Sequence, residues 1–329
     1  VGEAGTVRRS DGANLAAWEE KFSGTDYELH AIFSGNGFLV AVGEDGRILR
    51  SREGDGNLWT ESVSRFPLDL RGLGYFEGLF VGVGQNFTAM SSGSGLDWTQ
   101  RSSSQPTVMN GVAGDGSTVV AVGDGGRILR STDGGSSWSP VSSGVSSDLE
   151  GVIWDGARFL AVGEGGTILR STDGAAWGSA GISVDTTAFG GGPFSARLTD
   201  LVYDGSAYVA VGEDFSILRS TDGSGWTRIT GGSARLEAVA ASGTGFVAVG
   251  EFGGVWSSPD GGSWSGRFSG TVRDLEGVTY GDGLYVAVGD EGVVMTSPTG
   301  ETWESRVSSV TSDLRDVLSV LVDQPLDVV

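Results

Sequence analysis

Apolar residues in this chain fall in short unbroken runs, not along one side of a helix. VAVG at 120–123 is apolar throughout. Two residues suited to positive φ follow, Gly125-Gly126 here and Asp45-Gly46 in another copy, and ILRS then returns. That text reads as a buried strand, a tight hairpin and its partner strand. One more strand precedes each VAVG, as in LEGVIWDGARFLAVG at 149–163, with Asp155-Gly156 at its turn. The polar corner at 131–135 is rich in side chains that bond their own backbone, and Trp138 beyond it opens a fourth strand. The unit predicted is four antiparallel strands.

The unit recurs. Nearly the same text stands at 40–59, 160–177, 209–226 and 247–264, with weaker copies at 1–18, 81–98 and 286–303. Trp18, Trp59, Trp98, Trp138, Trp177, Trp226, Trp264 and Trp303 mark steps of 41, 39, 40, 39, 49, 38 and 39 residues. A period of about 40 with several short strands per unit predicts a β-propeller. Residues 1–18 hold the second half of a unit and 314–322 the start of one, so the two ends complement each other. The expectation is an all-β, eight-bladed propeller in one domain, 1–329, whose closing blade is shared between 1–28 and 314–329. Seven blades is the alternative. The 49-residue step comes from an insertion at 178–197, where Phe189 and Phe194 read either as exposed partner-binding anchors or as packed onto a neighbouring blade.

Composition narrows the function. Glycine is 58 of 329 residues and sits mostly at turns fixed within the repeat. Net charge is −21 with Lys21 the only lysine, which argues against nucleic-acid binding and permits basic partners. There is no cysteine, and no apolar run is long enough to span a membrane. The acidic, lysine-poor, Gly/Ser-rich composition and a first residue that is valine lead to the expectation of a periplasmic or extracellular protein with an export signal upstream of Val1.

The corner and its tryptophan resemble the Asp-box, or bacterial neuraminidase repeat, S-x-D-x-G-x-x-W. Residues 131–138, with Asp133 and Trp138, match in full. Asp173 with Trp177, Asp222 with Trp226 and Asp260 with Trp264 match with one residue fewer. Units near Glu53, Gly93 and Thr299 are degenerate. The resemblance implies that these corners are structural. The longer text, VAVGxxGxILRSTDGGxxW, is similar to the photosystem II stability and assembly factor family. That similarity implies a non-enzymatic protein-binding or assembly propeller with an arginine-rich patch. The arginines of this text are Arg50, Arg130, Arg170 and Arg219, with Arg9 in the first unit; Met90, Trp256 and Met295 stand there elsewhere. They are expected near the corner end of the ring. The known family has seven blades.

Other candidate chemistry is sparse. Glu3, Glu44, Asp124, Glu164, Glu213, Glu251 and Asp290 follow successive Val-Gly pairs, with Gln85 interrupting them, so rotational repetition puts them at one height. They read as a collar for a cation or basic peptide, or as acids that each support their own turn, Glu44 pairing with Arg47 and Asp124 with Arg127. His30 is the only histidine. No catalytic residue, metal site or cofactor is assigned. A carbohydrate-binding or sialidase-like glycoside-active propeller is the competing function, although the Arg-Ile-Pro text of sialidases is absent and Arg65-Phe66-Pro67 is a poor substitute.

Overall fold

The computed structural model describes residues 1–10, 18–21, 23–52, 58–63, 67–101, 107–183, 194–229 and 234–319. It is an all-β ring. Seven four-stranded antiparallel blades span 29–63, 70–100, 109–142, 149–179, 198–229, 236–267 and 275–306, numbered 1 to 7 here. The seven-blade alternative is therefore the count that the complete blades satisfy.

The expected eighth blade is corrected to a partial sheet at the closure. Val7–Arg9 pairs with Glu19–Lys21, and Gly2 makes an isolated bridge to Leu314. The backbone still repeats here. Glu3 N–H donates to the carbonyl of Asp313, as Glu44 does to Glu28 and Glu164 to Asp148 in complete blades, all at 2.9 Å. Val1 and Gly2 stand where other blades have the end of a five- or six-residue second strand, such as Phe38–Gly43. A cavity of about 50 Å³ lies beside it, lined by Trp18, Ile32, Val288, Leu314 and Val317 among others. The expected contribution of 320–329 lies outside the described residues.

The apolar runs make sense between blades. Leu160, Val162 and Ile168 of blade 4 pack against Leu198, Tyr208 and Trp226 of blade 5, while Phe159, Ala161 and Leu169 meet Val120 and Val122 of blade 3. Alternate residues of one strand thus serve two different cores, so no position can be polar. The glycine closing each run is required by close approach: a Cβ on Gly163 would sit 2.0 Å from the carbonyl oxygen of Asp148. The hairpin turns carry the predicted positive φ, 51° at Asp45 and 65° at Gly125.

The insertion does something the repeat did not announce. The outer strand of blade 4, Gly178–Ser179, is only two residues long. The chain then leaves it, and Gly181–Ser183 pairs in parallel with Gly225–Ile229 as a fifth strand of blade 5. Ile182 packs against this core, and Trp226 becomes fully buried.

Candidate functional site: two unlike faces of the ring

At one end of the ring lie the polar corners. In the 131–138 corner, Ser131 Oγ accepts from Gly135 N–H at 2.9 Å, Asp133 Oδ1 accepts from Ser137 N–H at 2.8 Å, and Trp138 Nε1 donates to Gly135 O at 3.1 Å. The corners at Asp173, Asp222 and Asp260 repeat this pattern, with Trp177, Trp226 and Trp264 each bonding a glycine carbonyl. N–H groups of Ala175 and Ala176 hold the Asp173 carboxyl below the usual range, and those of Gly262 and Ser263 do so for Asp260. Two degenerate corners keep the frame without an aspartate. Ser92 and Ser297 still accept from Gly95 and Gly300, and Trp98 and Trp303 still donate back. Ser94, not Gly93, takes the place of the aspartate in the first of these, accepting from Leu96 N–H at 3.2 Å.

The predicted arginines stand beside these corners. Arg130 Nε donates to Asp173 O at 2.7 Å and Arg219 Nε to Asp260 O at 2.8 Å, each reaching the corner of the next blade. The bond goes to a backbone carbonyl and not to a carboxylate. Arg50 stacks over Phe38, 3.5 Å from the ring centroid. Arg170, between Arg130 and Arg219, is exposed. The reach into the next corner is taken over there by Arg158, whose Nη1 donates to Asp222 O at 2.7 Å. Sequence reasoning missed Arg158, because it lies in the first hairpin of its blade rather than in the repeated ILRS text.

The opposite end holds the acid ring. Here the acids meet backbone N–H groups, an amide or arginines, and not the partners expected from the sequence. Glu44 Oε2 accepts from Glu28 N–H at 3.3 Å, while Arg47 pairs with Glu61 at 2.6 Å and, more loosely, with Asp45. Asp124 accepts from Asn110 Nδ2, and Glu251 from Arg235 N–H. Glu3 and Asp290 face Arg315, whose guanidinium also meets Glu28, Glu276 and Asp313. Glu164 and Glu213 act on Arg197 through their charge alone, and Arg197 pairs directly with Glu150.

A second acid set was missed. Asp69, Asp148, Asp274 and Asp313 accept from the turn N–H groups of Asp45, Gly125, Phe252 and Glu291 in the preceding blade, at 2.6–3.1 Å. The Asp-Leu pairs at 69–70, 148–149, 274–275 and 313–314 were the available signal.

The channel mouth is built by bulges. All seven inner strands shift register at their second residue, which leaves His30, Arg71, Asn110, Glu150, Thr199, Glu237 and Glu276 unpaired there. His30, Asn110 and Thr199 each bond the leucine carbonyl of the next blade. Burial pushes the Glu237 carboxyl up to about 7, with Glu276 and Glu251 adding to the rise against Arg235. One residue deeper, where other blades have Gly or Ala, stand Asp200 and Asp316. Both are partly reached by water in the channel yet crowded by strands, and their carboxylates accept from Val239 and Ile32 of the next blade. Crowding raises Asp200 to about 6, and the charge of Asp316 acts in the same direction.

Glu28, His30 and Glu44 bring possible metal-ligand atoms within 4.8 Å of one another. Each residue is already engaged: Glu28 by Arg315, His30 by Leu70 O and Glu44 by Glu28 N–H.

Phe194 is not an exposed anchor. It packs against Gly166 and the core of blades 4 and 5, with Arg228 over its ring at 5.1 Å. Phe189 lies outside the described residues.

No protein-family model matches the chain, and no curated protein does. Solved structures do. YCF48 from Cyanidioschyzon merolae is 20% identical, with a TM-score of 0.59 over 75% of this chain and 88% of that one. A structure titled YCF48 bound to D1 peptide is 18% identical, with a TM-score of 0.57 over 85% and 87%. The computationally designed Ika8 protein is 14% identical, with a TM-score of 0.71 over 89% and 91%. The chain shares the propeller fold of these proteins. Among the described residues no helix is long and apolar enough to cross a membrane.

Proposed function

We propose that this chain is a non-enzymatic protein-binding or assembly propeller that grips its partner with the arginines of the corner face. The observation that carries this reading is the fixing of Arg130 and Arg219. One Nε–H of each is spent on the next corner, which leaves the other guanidinium donors on a side chain whose position is already set, and exposed Arg170 stands between them. Preorganised guanidinium groups lose less entropy on meeting a carboxylate-bearing segment. The structural neighbour bound to a D1 peptide supports a protein ligand for this fold. The Ser-x-Asp corners, read as Asp-boxes, are then the scaffold that holds the arginines. The acidic, lysine-poor composition supports an exported location, which fractionation of the source cells would test.

Reversing Arg130, Arg170 and Arg219 to glutamate together tests the site. A protein retained by the wild-type chain from extract of the source organism should be lost by a variant with an unchanged melting midpoint. Retention by that variant refutes the arginine face. Hydrolysis of a chromogenic glycoside by the pure protein would move the assignment to the glycoside-active alternative.

A further inference from the structure

We infer a second docking surface on the acid-ring face, where blades 6 and 7 meet, that takes a cationic peptide segment bearing an apolar anchor. Large exposed apolar side chains concentrate here: Phe252 is 73% exposed, Phe268 88% and Val272 77%. They belong to one local structure. The 251–253 turn lies against the link that carries Phe268 and Val272. A Cβ on Gly253 would meet Thr271 O at 2.2 Å and Ser269 Oγ at 3.0 Å, and Phe252 N–H donates to Asp274 Oδ1 at 2.7 Å.

Phe252 is also in the wrong conformation for its residue type. Its φ is +57°, at a turn position that other units fill with Ala4, Asp45, Asn86, Gly125, Gly165, Asp214 and Glu291. A bulky residue held left-handed and facing water gains no packing for its strain, and such outliers gather at ligand contacts. Exposed aromatic side chains grouped on a rigid scaffold are the residue type that anchors partners.

Charge selects the occupant. Glu251, Asp274 and Glu291 surround the patch, and the nearby arginines are paired with acids: Arg273 with Glu291 at 2.6 Å, Arg267 with Glu301 at 3.0 Å and Arg235 with Glu237 at 2.8 Å. The surroundings are net negative on a chain of charge −21, so the complementary partner is a protein segment with lysine or arginine beside an aromatic or aliphatic residue. An anionic lipid surface would be repelled. This site is separate from the arginine face, and a scaffold with both would hold two partners at once.

The experiment uses the full chain and two short labelled peptides, one with a central Phe flanked by lysines and one with the same Phe flanked by glutamates, read by fluorescence anisotropy. The lysine peptide should bind, weaken with added salt, and lose at least about tenfold in affinity in Phe252→Ser/Phe268→Ser. Arg130→Glu/Arg170→Glu/Arg219→Glu should bind it as the wild type does, which separates this site from the proposed arginine face. Equal binding of the two peptides, or undiminished binding by the double serine variant, overturns the proposal. So does binding to phosphatidylcholine vesicles, or dimerisation in sedimentation, that the serine substitutions abolish while the lysine peptide is ignored.

Discussion

Asp200→Asn should remove the pH dependence of stability that a crowded carboxylate imposes. Asp200 stands where other inner strands have Gly or Ala, and its carboxyl is raised from 3.8 to about 6. At about 1.4 kcal/mol per unit this is about 3 kcal/mol between protonation states, an upper figure because water enters the channel. The folded state then holds a proton between roughly pH 4 and 6 that the unfolded state has released. Stability therefore falls as pH rises through that window and levels off above it. Integrated between pH 4.5 and 7.5, the Asp200 share is about 2 kcal/mol. Asparagine is neutral throughout. Val239 and Leu201 N–H donate to different oxygens of Asp200, so asparagine keeps one of these two bonds and loses the other, at a pH-independent cost of about 1 kcal/mol. Urea unfolding of both proteins at the two pH values should show the variant gaining about 2 kcal/mol on the wild type from acid to neutral. A difference that stays constant with pH would refute the reasoning, because Asp200 would then titrate as it does in the unfolded chain.

Glu237→Gln should act in the same direction with its window extending to about pH 7, seen as a flatter pH profile of the melting midpoint. Ser131→Ala should cost about 1–3 kcal/mol in urea titration, because the buried Gly135 N–H loses its acceptor. Ile182→Ser should cost about 1–2 kcal/mol and expose Trp226, read as increased quenching of tryptophan emission by acrylamide; no change in quenching would mean that the added strand does not seal that blade. Gly163→Ala should be more damaging than any of these, abolishing a cooperative melt or lowering it sharply, since its Cβ would lie 2.0 Å from a backbone oxygen.

The strands, hairpins and corners were legible in the sequence because each is a local pattern, repeated with its tryptophan. VAVG is apolar on both faces, Asp45-Gly46 and Gly125-Gly126 suit positive φ, and the corner serines bond N–H groups three or four residues away. Rotational repetition likewise put the acids on one face. What needed the tertiary structure is everything that depends on the next blade. Arg130 and Arg219 meet a neighbouring backbone carbonyl, Asp148 and Asp274 latch a neighbouring turn, and Arg158 stands in for Arg170. None of these partners is close in sequence, and single substitutions hide them inside the repeat. The bulge that turns His30 and Glu237 to the channel mouth adds one residue to a strand without altering its apolar pattern. The insertion shows the same limit: its length was plain, but the parallel strand it adds to blade 5 exists only because Trp226 and the edge of Gly225–Ile229 lie within reach. Closure was decided in space as well. The complementary ends predicted that the termini meet; Val1, Gly2 and Glu3 pair with 313–316, and this leaves seven complete blades and a partial sheet between them.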